Sequence, residues 1–293
     1  MDTQWKGDSG LKVRIVLSFI ILGILYAVFL GILNYLGVGY IPLTIIAGVM
    51  ILAQWYFSDK IVLWSSHATI VSKEQYPRLH EIVEKLSANN GIPKPKVAIV
   101  NSLVPNAFAT GKSPKSSLVA VTSGILDLLD DDELEAVIGH ELSHVRSRDV
   151  LVLTLVSVFS TVAWYLVQFS FYGGMRGRDR NTSGTAIVIL VAIITWIVSF
   201  LIIRAISRYR EYSADRSGAI MTGNPDKLAS ALIKISGKMG NIPTKELQSV
   251  QKLNAFFIIP ALSGSSIANL FSTHPPVEKR VQKLREMKSG TNE

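Results

Sequence analysis

Residues 137–145 read VIGHELSHV, and the reading of the whole chain turns on His140, Glu141 and His144 within them. Histidines four positions apart stand one turn above each other on the same face of a helix. Two imidazoles presented that way can ligate one Zn²⁺ at about 2.0–2.1 Å. Glu141 is one residue on, about 100° around the helix, where it can reach a water without being a ligand. This is the HExxH pattern, two ligands with a general base poised over activated water. A helix is expected here because Asp130-Asp131-Asp132-Glu133 place acids at a helix N-terminus, where the macrodipole favours them. The competing reading, a chance pairing on an amphipathic helix, requires three fixed positions to be filled by uncommon residue types.

A catalytic zinc takes a third protein ligand and leaves a fourth position open. The chain has no cysteine, and its remaining histidines are His67, His80 and His274. Glu211 is the best candidate, with Asp215 one turn further along the same helix face. Asp215 is then placed to accept the free N–H of His140 and fix its tautomer. The competing reading of Glu211 and Asp215 is a solvated helix paired with Arg210 and Arg216. Asp226, in Asn224-Pro225-Asp226, is the rival third ligand, against an ordinary role in the first turn of a helix. His67 and His80, each alone in its segment, read as structural.

The surroundings of this motif are apolar over long distances. No charged residue occurs between Arg14 and Asp59, between Asp149 and Arg176, or between Arg180 and Arg204. A bilayer helix needs about 20 mostly apolar residues. The first block is roughly twice that length, with a break from Asn34 to Pro42 that suits a turn. Spans are therefore expected near 14–35, 41–57, 150–172 and 184–204. The first exceeds the roughly 7–15 apolar residues of a signal core and has no Ala-x-Ala-like cleavage site, so it reads as retained. Absence of cysteine excludes disulfides and fits a reducing compartment. The net charge of +8 lies on Lys and Arg flanking the spans and polar segments, which suits headgroups rather than nucleic acid.

Four segments follow: a transmembrane hairpin over 1–57, a first catalytic part over 58–149, a second hairpin over 150–204, and a second catalytic part over 205–293. Lys6, Lys12 and Arg14 favour a cytoplasmic N-terminus, which puts both polar parts on the cytoplasmic side. The three arginines of the loop 175–180 run against that bias. Within the polar parts, periodicity predicts a helix over 74–90, strands over 96–100, 106–111 and 117–122, and a short helix over 123–129. Further helices are expected through 210–216, from Pro225, and after Pro276 with Val277, Val281 and Leu284 aligned.

Four motifs stand in order along the chain: NAFATG at 106–111, HELSH at 140–144, EYSAD at 211–215 and STHPP at 272–276. With the apolar blocks, they make the chain resemble the HtpX-type membrane zinc metalloproteases, related to the CaaX prenyl-protease branch. The resemblance implies an α-helical polytopic membrane protein with a cytoplasmic α+β zincin-like domain. It implies one zinc held in a gluzincin-like site by His140, His144 and Glu211, with Glu141 as base and Asp215 holding the first histidine. It also implies proteolysis of damaged or misfolded membrane proteins at the cell (plasma or inner) membrane, with the active site facing the cytoplasm.

Beside that resemblance, Asn106, Ala107, Phe108 and Ala109 read as an edge strand against which an extended substrate pairs. His274 reads as a donor to a developing oxyanion, with Tyr212 and Arg210 weaker candidates for that task. A CaaX-type prenyl endopeptidase is the alternative within the same chemistry. An intramembrane zinc protease would bury HExxH inside a span. A membrane metal-binding or transport protein would need ionisable residues within the spans, and these spans have none. The partners expected are protein substrates and the lipid bilayer, without nucleic acid.

Overall fold

The computed structural model describes residues 9–35, 41–152, 154, 164, 182–242 and 274–288. These fall into two units, one within Gly7–Tyr56 and Val152–Ile206, the other within Phe57–Leu151 and Ser207–Glu293. In the first unit, α1 (Ser9–Tyr35) and α2 (Ile41–Tyr56) are helices drawn from the first uncharged block. They turn apolar side chains outward, with Ile24 60% and Leu52 64% exposed. Such surface is unfavourable in water at roughly 25 cal/mol per Å², but not against lipid chains. Most of the expected span 150–172 lies outside the described residues.

The second unit is α+β. It begins with α3 (Ser58–Ser66), β1 (Thr69–Ile70), α4 (Pro77–Asn89), β2 (Lys96–Val100) and β3 (Ala107–Thr110). A 3₁₀ turn (Pro114–Ser116), β4 (Leu118–Thr122), α5 (Ser123–Leu128) and α6 (Asp131–Arg146) follow. Then come α7 (Thr182–Thr222), α8 (Pro225–Met239) and α9 (Val277–Lys288). The first part of α7, up to Ile206, belongs to the apolar unit. The fourth expected span and the Glu211 helix are thus one continuous element, since neither glycine nor proline interrupts 185–217.

The sheet order is β1-β2-β4-β3, with β2 and β4 parallel and both outer pairings antiparallel. Central β4 is buried along its whole length, so both of its faces carry apolar residues. Val97, Val119 and Val121 join the main core with Leu79, Val83 and Leu86 of α4 and Leu228, Leu232 and Ile235 of α8. Alternate residues Ala98, Leu118 and Ala120 point the other way and pack with Phe108 on Val62 of α3. Neither α3 nor β1 was expected from sequence. A two-residue strand and a nine-residue helix are too short to show a periodicity.

Helix α6 starts at a complete capping box. The Asp130 carboxylate accepts from the Glu133 N–H at 2.9 Å, and the Glu133 carboxylate accepts from the Asp130 N–H at 3.1 Å. Glu133 also accepts from Ser230 Oγ and Lys234 Nζ of α8, each at 2.7 Å, tying the two helices together. Ile138 and Leu142 enter the core on one face of α6, while His140, about 160° around the axis from them, is buried on the other face, where α7 packs at Gly218. The fold thereby fixes the direction of the HExxH side chains before any ligand arrives.

Helix α7 approaches α6 at a glycine contact. A Cβ on Gly218 would lie 2.7 Å from the His140 nitrogen and 2.8 Å from its Cα. One on Gly139 would lie 2.9 Å from Thr222 Cγ2. Separations under 3.0 Å require something to move, and at Gly218 the obstacle is backbone. Gly218→Ala should therefore force the helices apart and destabilise the unit by about 1–3 kcal/mol, the usual cost of overpacking. Thermal unfolding in detergent measures this, and an unchanged midpoint would show that the helices do not meet here.

Candidate functional site

The two histidines of α6 meet with their Nε2 atoms 3.1 Å apart and their rings edge to face. From α7, Glu211 brings its Oε2 to 3.7 Å from His140 Nε2 and its Oε1 to 3.5 Å from His144 Nε2. One ligand atom from each of the three residues lies within 4.8 Å of the others, a group able to hold a metal ion. A tetrahedral centre with bonds of about 2.0–2.1 Å sets its ligands roughly 3.3–3.4 Å apart, and the nearest approaches, with a different Glu211 oxygen towards each histidine, lie close to that value. Asp226, in the first turn of α8, is not part of this group.

Each imidazole has a carboxylate on its other nitrogen. His140 Nδ1 lies 3.0 Å from Asp215 Oδ1, the contact expected from the helical spacing. His144 Nδ1 lies against Asp149 Oδ2. Each carboxylate in turn faces a buried arginine. Arg280 donates to Asp215 through Nε at 2.8 Å and Nη2 at 2.6 Å, and Arg210 pairs with Asp149. Arg280 is fully buried, and its Nη1 lies 3.4 Å from Glu211. Burial pushes the His144 imidazole down to about 4, so it is neutral near pH 7, as a ligand must be.

Charge completes the fit to a cation. Glu141, Glu211, Asp215 and Asp149 are buried carboxylates, and the buried arginines beside them are Arg210 and Arg280. When the carboxylates are ionised, two negative charges are left uncompensated among the described residues of the site. A divalent cation balances them, and nitrogen and oxygen donors in this number suit zinc chemistry.

Glu141 is 4% exposed. Burial pushes its carboxyl up to about 7, opposed by His140, reinforced by the Glu211 carboxylate and opposed again by the Ala109 N–H. That N–H belongs to β3, the edge strand of the sheet. Thr122 N donates to Asn106 O, and β3 then pairs antiparallel with β4, with Ala107 opposite Val121 and Ala109 opposite Val119. In such a ladder the backbone groups of Ala107 and Ala109 face away from β4, with Ala107 fully buried. His274 is buried, with Nδ1 3.2 Å from Glu211 Oε2. Tyr212 lies under Lys283 Nζ at 5.1 Å from its ring. His67 closes α3 in a left-handed conformation, and His80 Nε2 bonds the Val71 carbonyl at 3.0 Å, so both are structural.

Sequence reasoning missed Asp149 and Arg280. Arg280 carried a signal, for it interrupts the apolar stripe Val277, Val281, Leu284 at a position on the same face. Asp149 carried none, because its place depends on the way the chain turns after α6.

The family model for peptidase family M48 matches residues 73–288. The chain is similar to Protease HtpX homolog 2 of Methanosarcina mazei, 50% identical over 98% of each chain. It is also similar to the Protease HtpX homolog of Moorella thermoacetica, 49% identical over 100% of this chain and 99% of the relative. Among solved structures, the crystal structure of S. mikatae Ste24p matches with a TM-score of 0.58 at 18% identity, covering 92% of this chain and 64% of that protein. The likeness to Ste24p is one of fold. The resemblance drawn from the four motifs is borne out.

The Glu141 carboxyl has a pH signature in metal-free protein. Its folded value, about 7, lies above the ordinary 4.5, so folding favours the protonated form. The stability from this group is present below pH 4.5 and lost as pH rises through about 7. With chelator present, the unfolding midpoint of Glu141→Gln should gain on the wild type across that interval and then level off. A difference independent of pH would show that the carboxyl is not buried as described.

Proposed function

The chain belongs to peptidase family M48 and is a membrane metalloprotease, and on that footing we propose a zinc-dependent endopeptidase of membrane-protein quality control. The observation that carries the metal assignment is the convergence of His140 Nε2, His144 Nε2 and the Glu211 carboxylate, from two helices, with one ligand atom from each within 4.8 Å of the others. One zinc per chain would be held by these three residues. Zinc supplies Lewis-acid polarisation of a peptide carbonyl and eases the deprotonation of water.

The chain's own residues supply the rest. Glu141 takes the proton of the attacking water and hands it to the leaving amine. A dication beside Glu141 favours its ionised form, counteracting the burial that raises it in the metal-free protein. Asp215, braced by Arg280, holds His140 in the tautomer that presents Nε2 to the metal. The outer edge of β3, once uncovered at Ala107, pairs an extended substrate backbone and leads it towards Glu141, which already takes the Ala109 N–H. His274 reaches the same cluster and donates to the oxygen that gains charge in the transition state.

Substrates are damaged or misfolded membrane proteins. Supporting this, the stretch Ile189–Thr222 of α7 is long and apolar enough to cross a membrane, by length and composition, and it also carries Glu211 and Asp215. A shorter apolar stretch, Val16–Ile32, lies within α1. We place the protein as multi-pass in the cell membrane, with the site on the cytoplasmic side, on the strength of Lys6, Lys12 and Arg14 before the first span.

The test is cleavage of casein by detergent-purified protein, with metal content measured in parallel. Glu141→Gln should keep one zinc and lose activity by about 10²–10⁴-fold, the usual worth of a general base. Glu211→Ala should lose the metal by elemental analysis. A fully active Glu141→Gln would refute the base, and stoichiometric zinc in Glu211→Ala would refute the ligand. His274→Ala should keep zinc and lower kcat by about 10²–10³-fold with KM little changed, as for a lost oxyanion donor. A KM effect alone would assign His274 to substrate binding.

A further inference from the structure

We propose that Asp149, held by Arg210 and aimed by a left-handed turn at Arg148, is the positioning residue for His144. This rests on the reading of His144 as a ligand, and it adds three residues that the ligand set does not include. A histidine that donates Nδ1–H to a carboxylate keeps its lone pair on Nε2 and its ring fixed in direction. His144 does this with Asp149 Oδ2 on one side, while its Nε2 faces Glu211 and His140 on the other. The other Asp149 oxygen is taken by Arg210. Asp149 is 8% exposed and Arg210 3%, so the pair lies in the interior rather than on a solvated rim.

An uninterrupted helix could not make this contact. Five residues of α-helix turn about 500°, which would leave Asp149 roughly 140° around the axis from His144. The chain solves this with a break. Helix α6 ends at Arg146, Ser147 caps it, Arg148 takes φ 54°, and helical backbone resumes at Asp149. A left-handed residue other than glycine costs about 1 kcal/mol or more and persists where its surroundings impose it. Among the described residues only His67 shares that feature, and it closes α3 away from the cluster. The turn at Arg148 brings the carboxylate at the head of the next helix back over the second histidine.

The two histidines are therefore held by the same device built from different parts. His140 has Asp215 and Arg280, from α7 and α9, and His144 has Asp149 and Arg210, from the turn after α6 and from α7. Arg210 and Glu211 are neighbours, so the residue that braces one ligand adjoins another. The competing role for Asp149 and Arg210 is a staple that only fastens α7 to the turn.

The experiment measures zinc itself, with the full chain in detergent and a chelator of known affinity as competitor. In Asp149→Ala/Arg210→Met both charges go, so neither is left buried and unpaired. The metal-free double variant should melt close to the wild type, while its zinc dissociation constant rises about 10–100-fold, the usual effect of losing an outer-shell partner. A staple would give the reverse, a lower melting point with unchanged zinc affinity, and would overturn the proposal. Should the double variant not fold, Asp149→Asn keeps the shape and should also bind zinc more weakly, and wild-type affinity there overturns the proposal. Arg148→Val, which resists positive φ, should weaken zinc binding more than Arg148→Gly, and equal affinities would refute the role of the turn. His144→Ala and Glu211→Ala serve as controls. If they retain wild-type zinc, the ligand assignment has failed, whereas normal controls beside an unaffected double variant reject the positioning role alone.

Discussion

The close contact of α6 with α7 at Gly139 and Gly218 is the constraint on which the site depends. The backbone of His140 rests against the Cα side of Gly218, where any side chain would collide with main chain. Two turns of α7 earlier stands Glu211, and one turn earlier Asp215. With the helices this near, side chains of ordinary length bridge the gap. Glu211 reaches both Nε2 atoms and Asp215 reaches the far side of the first ring. Glu211 is thus positioned by packing and does not need a metal to pull it in.

That packing buries charge, which costs several kcal/mol per ion unless partners are supplied. The partners come in series, with Arg280 behind Asp215 and Arg210 behind Asp149, and these two carboxylates behind His140 and His144. Glu211 shares Arg280 and His274 and has no arginine to itself. The imbalance falls on the residue that faces both histidines, where a cation would bind. A site fully neutralised by its own side chains would hold a metal less tightly, because the ion would have to compete with an arginine.

How much of this was legible in the sequence follows the range of each interaction. His140, Glu141 and His144 are fixed by one helix, so spacing alone gave their common face. Glu211 and Asp215 were legible as a helical pair, and the missing third ligand singled them out from the solvated reading. Their approach to α6 depends on glycines whose meaning appears only when the other helix is seen. Asp149 was read as the residue before a span, since its contact needs a left-handed bend that the Ser-Arg-Asp sequence does not advertise. Strands β2, β3 and β4 are legible because a short apolar run bounded by turn residues is a local signal, while β1 is too short to carry one.

The proposed pairing of substrate with β3 would link substrate recognition to acid–base chemistry. Glu141 accepts from the Ala109 N–H, and on the same strand the backbone groups of Ala107 also face away from β4, from a buried position. A substrate strand adding to that edge would extend the ladder that ends at the base. Its scissile bond would then be placed by hydrogen bonds to main chain rather than by a side-chain pocket. Main-chain pairing is indifferent to sequence and selects for an extended, unfolded segment. Native helices keep their backbone groups paired within themselves and cannot offer such an edge partner. Selection for unpaired backbone is the discrimination that a quality-control protease requires, and under the proposed function it would follow from which strand of a four-stranded sheet lies outermost.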